Sequence, residues 1–144
     1  MNMAIEMSKM SRCKSKQVAA LMVIDGRIIS TGVNGTPAGF INCDDIFAKE
    51  LDELSAPIHR AWSDKYELHA EQNAIVRAAK DGIAIAGAVV YCTLKPCDQC
   101  VKLLIAAGIS EIYYKHKYDR YNNSENSAAD VYLEENGVKI CQLV

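Results

Sequence analysis

The sequence predicts an α/β sandwich on a mixed sheet of five strands, and three observations carry that prediction. Apolar runs of strand length recur along the chain, and helical patterns closed by glycine separate the later ones. The first two runs are joined by a two-residue turn. A hairpin followed by alternating helices and strands puts antiparallel and parallel pairs in one sheet, with helices on its faces. The chain has 144 residues, 50% of them hydrophobic, which suits one domain with its own core.

Met3, Met7 and Met10 fall at helical spacing with Ala4 and Ile5, which predicts a short amphipathic helix over about residues 2–11. Val18 to Ile24 is a nearly continuous apolar run and reads as a buried strand. Asp25-Gly26 is a strong hairpin signal, so Arg27 to Val33 returns as the second strand. Residues 34–68 differ in kind. They open with the turn-rich Asn34-Gly35-Thr36-Pro37-Ala38-Gly39 and continue through Asp44, Asp45, Glu50, Asp52 and Glu53. The expectation is an excursion from the sheet at about residues 36–67, with a small helix around 46–54 and no large core face. Regular alternation resumes at Leu68. A helix over 69–81 ends at Asp81-Gly82, a strand covers 88–94, and a helix runs from Cys97 to Gly108. A strand over 111–115, a helix over about 125–136 stopped by Asn136-Gly137, and a strand over 138–143 complete the pattern.

A formal net charge of -2 argues against a nucleic-acid surface, although a small phosphorylated ligand needs only one or two local cations. The polar N-terminus lacks the apolar stretch of a signal peptide, and no run has the ~20 residues of a membrane span. A cytoplasmic location with no membrane partner is expected. The six cysteines should stay reduced there, so metal binding, burial or catalysis explain them better than disulfides.

The chemistry concentrates in His69-Ala70-Glu71 and Pro96-Cys97-Asp98-Gln99-Cys100. Cys97 and Cys100 stand at i and i+3 of a helix start, one turn apart on the same face. Partial positive charge there favours thiolate over thiol. His69 and Glu71 open their own helix, whose side chains lean toward its N-terminus. One imidazole and two thiolates leave a fourth zinc position open, and Glu71 supplies a carboxylate to move protons. Alone, the cysteines could be a redox pair or half of a structural site. Taken together, the pattern is the signature known for zinc deaminases.

Cys13-Lys14-Ser15-Lys16-Gln17-Val18-Ala19-Ala20, Gly32-Val33-Asn34-Gly35-Thr36-Pro37-Ala38-Gly39, His69-Ala70-Glu71-Gln72-Asn73-Ala74-Ile75 and Thr93 to Cys100 together resemble the deoxycytidylate (dCMP) deaminase family, its bacteriophage branch above all. The likeness extends through Ala107-Gly108-Ile109 and Tyr118-Asp119; Val33 and Ala19 depart from the common Tyr and Gly. It implies a three-layer α/β/α cytidine-deaminase-like sandwich and conversion of dCMP to dUMP and ammonia. By position, His69, Cys97 and Cys100 would hold a catalytic zinc, and Glu71 would shuttle protons. Asn34, otherwise a turn residue, would contact base or sugar, and Tyr118 the phosphate, with Ser11, Arg12, Lys14 and Lys117 as weaker phosphate candidates. Cys13, Cys43, His59 and Glu67 align with the ligands of a second, structural zinc in phage-type relatives. Spacing alone does not point to that site. Cys92 and Cys141 read as core. The family also implies a homohexamer, activation by dCTP and inhibition by dTTP, with Mg2+ accompanying a triphosphate effector. Alternatives are a zinc deaminase of free nucleosides or of tRNA adenosine, and a zinc-stabilised module that only senses nucleotides. The acidic balance speaks against tRNA, and an open metal position beside Glu71 against a mere sensor.

Overall fold

The structure, a computed structural model, describes residues 1–117 and 128–144. Its element order is α1 (Asn2–Ser8), β1 (Ala19–Ile24), β2 (Arg27–Val33), α2 (Cys43–Ile46), α3 (Ser55–Tyr66), α4 (Ala70–Lys80), β3 (Val89–Leu94), α5 (Asp98–Ala106), β4 (Glu111–His116), α6 (Ala128–Glu135) and β5 (Lys139–Gln142). The strands form one mixed sheet in the order β2-β1-β3-β4-β5. β1 pairs antiparallel with both β2 and β3, while β3, β4 and β5 run parallel. The hairpin turn takes its left-handed dihedrals at Asp25 (φ 49) and Gly26 (φ 75).

α4, α5 and α6 cover one face of the sheet. Ala70, Ala74, Val101, Leu104, Ala129 and Leu133 pack there on Ala20, Met22, Val90, Cys92, Ile112 and Tyr114. α1 lies against β1 and β3. Ala19 and Leu21 alternate away from that helical cluster and are buried on the α1 side, which gives three layers. Among the described residues no helix is long and apolar enough to cross a membrane.

α4 approaches β2 unusually closely because residue 32 is glycine. A Cβ at Gly32 would lie 2.1 Å from the Ala70 carbonyl oxygen and 2.4 Å from the Ala74 nitrogen. Ser30 Oγ donates to the Ala74 carbonyl at 2.7 Å, and Asn73 Nδ2 to the Val33 carbonyl at 2.7 Å. These contacts lock the helix that carries the His69-Ala70-Glu71 motif onto the edge strand.

One expectation is corrected. No helix occupies 47–54; α2 ends at Ile46 and the long helix of the excursion is α3, twelve residues from Ser55. Asp52, which accepts from the Leu54 and Ser55 N–H groups at 3.1 and 2.8 Å, nucleates its start. Only His59 of α3 is fully buried, so no periodic apolar stripe announces it. The start of the helix expected over 125–136 lies outside the described residues.

Candidate active site

α4 and α5 bring their first turns together beyond the end of β3. His69 is the N-cap residue of α4 and Cys97 that of α5, each in extended conformation, with Cys100 one turn into its helix. The His69 backbone N–H donates to Gln72 Oε1 at 2.8 Å, which fixes the imidazole at the helix mouth. A glutamine three residues after His69 was the available sequence signal for that support.

His69 Nδ1 stands 3.5 Å from Cys97 Sγ and 3.3 Å from Cys100 Sγ. Tetrahedral zinc with ordinary bond lengths separates nitrogen and sulfur ligands by about 3.6 Å. The three donor atoms therefore fit one metal, and all lie within 4.8 Å of one another. Cys97 is drawn well below its ordinary pKa, first by its hydrogen bond with Cys100 and then by His69. Cys100 is pushed up, since Cys97 takes the anionic share of the pair and burial and Glu71 add to the effect. Contact with Cys97 raises His69, against the opposing effect of burial. A cation is what allows both sulfurs to be thiolates at once.

Glu71, in the first turn of α4, is buried (4% exposed) beside this cluster. Burial raises its pKa, and interaction with Cys100 and His69 opposes the rise. A carboxylate so placed exchanges protons nearer neutral pH than a solvated one.

Asn34 follows β2, and its side chain is engaged. Oδ1 accepts from the Val18 N–H and Nδ2 donates to the Lys16 carbonyl, both at 2.8 Å. One N–H and one lone pair remain for a ligand. Ser11 Oγ donates to the Asn34 carbonyl at 2.9 Å, and Arg12 pairs with Asp44 and Asp45 at 2.8 and 2.7 Å. Ser11 is thus engaged at the end of β2, and Arg12 with the excursion. Lys14 lies 4.0 Å from Glu50, and Lys117 lines a cavity with Lys16 and His116 that includes no candidate zinc ligand. Tyr118 lies outside the described residues.

A second cluster forms in the excursion. Cys43 Sγ is 3.1 Å and Cys13 Sγ 3.6 Å from His59 Nε2, all three residues buried. Burial pushes the Cys13 thiol up to about 12 and raises Cys43 as well, with the charge of Glu67 adding to both. Glu67 is not within the 4.8 Å group, yet its Oε1 is buried without a hydrogen-bond partner. An orphaned carboxylate oxygen beside two thiols and an imidazole fits a cation. Cys92 is fully buried, as expected of core, whereas Cys141 is only half-buried on β5.

Residues 1–116 match the model of the cytidine and deoxycytidylate deaminase zinc-binding region. The chain is 37% identical to the deoxycytidylate deaminase of Enterobacteria phage T2, over 83% of this chain and 79% of that protein. It is 32% identical to that of Schizosaccharomyces pombe, over 94% of this chain but 42% of the relative. Among solved structures, the dCMP deaminase of cyanophage S-TIM5 in complex with dCMP and dUMP superposes with a TM-score of 0.76 and 31% identity, over 99% of this chain and 92% of that one. With the paired helix mouths, the buried Glu71 and the family model covering residues 1–116, the chain belongs to the cytidine and deoxycytidylate deaminase family.

Proposed function

We propose that this chain catalyses the hydrolytic deamination of dCMP to dUMP and ammonia. The observation that carries the reading is a buried carboxylate, Glu71, beside a three-donor cluster that leaves a fourth position for water. The T2 relative and the cyanophage complex with dCMP and dUMP support the substrate. His69, Cys97 and Cys100 would hold zinc, which when bound lowers the pKa of a water in its open position. Glu71 would take one proton from the attacking water and deliver it to the ring nitrogen beside C4 as the C4–O bond forms. It would then move the proton of the new C4 hydroxyl to the amino nitrogen as the C4–N bond breaks, so that ammonia leaves and the carbonyl of dUMP remains. Asn34 offers its remaining amide N–H to base or sugar, and Tyr118 is assigned to the phosphate.

The test is direct. Zinc-loaded protein is incubated with dCMP, deoxycytidine and cytidine, and loss of the aminopyrimidine absorbance is followed. Turnover of dCMP with little turnover of the nucleosides is expected; equal rates on all three would remove the phosphate-dependent reading.

The proposal extends to one deaminase domain spanning the chain, a homohexamer, dCTP activation and dTTP inhibition with Mg2+ on the triphosphate, and dUMP supply for dTMP synthesis. Rates unaffected by dCTP or dTTP would remove the regulation. It also extends to a second, structural zinc on Cys13, Cys43, His59 and Glu67. That site would clamp a segment poor in core contacts. The chain has one tryptophan, Trp62, on α3 and in ring contact with Phe47, which itself meets His59 at 5.0 Å. Stepwise chelation is therefore expected to release two zincs per chain and to shift Trp62 fluorescence with the structural one. One zinc per fully loaded chain would refute the second site.

A further inference from the structure

The second cluster has a supporting side chain that its four donors do not account for. Glu67 ends α3 and turns extended, with ψ 142. One helical turn earlier, Ser63 meets it twice. The Glu67 backbone N–H donates to the Ser63 carbonyl at 2.9 Å, and Ser63 Oγ makes a short hydrogen bond to Glu67 Oε2. The carboxylate is thus engaged through one oxygen only. Its other oxygen, Oε1, is buried and has no hydrogen-bond partner, although an isolated buried carboxylate oxygen is costly. We propose that Ser63 is a positioning residue for the structural metal: it holds Oε2 of Glu67 so that Oε1 is the single oxygen presented to the ion at Cys13, Cys43 and His59.

The chemistry follows from the hydroxyl. Ser63 has one proton to give, and giving it to Oε2 leaves Oε1 as the electron-rich ligand and disfavours two-oxygen binding. Zinc at a closed site takes four donors, so one carboxylate oxygen is the right complement to two sulfurs and one nitrogen. Glu67 Oε1 stands outside the 4.8 Å group formed by the other three donors, so it would have to draw in for all four to hold one ion. The Lys14 N–H, donating to Cys43 Sγ at 3.3 Å, supports a thiolate of the same centre in an equivalent way.

The inference rests on the two-zinc reading, and its test separates the two. Full-length chain and the variants Ser63→Ala, Ser63→Thr and Glu67→Gln are loaded with zinc, counted by atomic emission and titrated with a competing chelator. Cobalt-loaded samples are followed by visible absorption. Alanine is a strong helix former, so Ser63→Ala keeps α3. Ser63→Ala is expected to release the second zinc at chelator concentrations about 10–100-fold lower than wild type and to shift the cobalt bands. Ser63→Thr, which keeps the hydroxyl, is expected to restore both. Two zincs in wild type with an unchanged Ser63→Ala titration and spectrum would overturn the positioning role alone. So would tighter binding in Ser63→Ala, which would mean that the serine holds Glu67 away, or a Ser63→Thr variant as weak as Ser63→Ala. One zinc in wild type would overturn the proposal together with the reading beneath it.

Discussion

Glu71→Gln is expected to hold zinc at His69, Cys97 and Cys100 with wild-type stoichiometry and to lose about 10²–10⁴-fold in turnover of dCMP. The reason is positional. Glu71 is buried against the His69, Cys97 and Cys100 cluster in the first turn of α4, but none of the close nitrogen–sulfur contacts of that cluster involves its carboxylate. Glutamine keeps the shape and the helix and removes only the ability to accept and return a proton. Because burial raises the carboxyl pKa, the wild-type rate should fall on the acid side at a pH above the usual glutamate range. The residual activity of the Gln variant should lose that limb. Steady-state rates across pH, with zinc counted on the same samples, decide it. A Gln variant that retains wild-type turnover would sink the assignment.

Gly32→Ala is expected to be the most damaging of the glycine-to-alanine changes among the described residues. Overpacking a core costs roughly 1–3 kcal/mol when side chains can give way. Here the added Cβ meets backbone, the Ala70 oxygen at 2.1 Å and the Ala74 nitrogen at 2.4 Å, so α4 itself must move. Ala70 sits between His69 and Glu71, and the shift therefore reaches both the candidate zinc ligand and the candidate proton carrier. A misplacement of about 1 Å in a catalytic constellation can cost ~10²-fold in rate. Denaturant unfolding should show a loss of about 3 kcal/mol or more. A variant with wild-type stability and kcat would mean that α4 is not seated on β2 as described.

The grouping of His69, Cys97 and Cys100 was legible because its information is local. Two motifs each open a helix, and the mouth of a helix places its first residues by rules that need no tertiary knowledge. The hairpin and the parallel strands were legible for the same reason, through turn chemistry and apolar period. α3 was not. Leu54 and Ile58 are exposed, at 82% and 64%, and the helix is ordered by contacts distant in sequence: His59 to Cys13 and Cys43, and Trp62 to Phe47. Asn34 shows a different limit. The family resemblance implies a ligand contact there, whereas the structure adds a local duty, pinning Lys16 and Val18, that no spacing rule reveals. Gly32 was noticed only as part of a motif, since the close approach it permits depends on a helix about forty residues away.

Gly35 and Leu68 are joined by a pair of backbone hydrogen bonds, 3.1 Å one way and 2.9 Å the other. The excursion therefore leaves and re-enters the fold at one point, like a bag closed at the neck. Lengthening such a closed loop is cheap, about 0.6 kcal/mol for each doubling, because the ends are already together. The stretches between residues 36 and 67 that lie outside the Cys43, His59, Ser63 and Glu67 cluster can thus be enlarged, trimmed or exchanged over evolutionary time without moving the sheet. The neck itself cannot drift, since Asn34 lies on one side of it and His69 on the other. A deaminase lineage could in this way acquire new surfaces in the bag while His69, one residue beyond the drawstring, stays fixed.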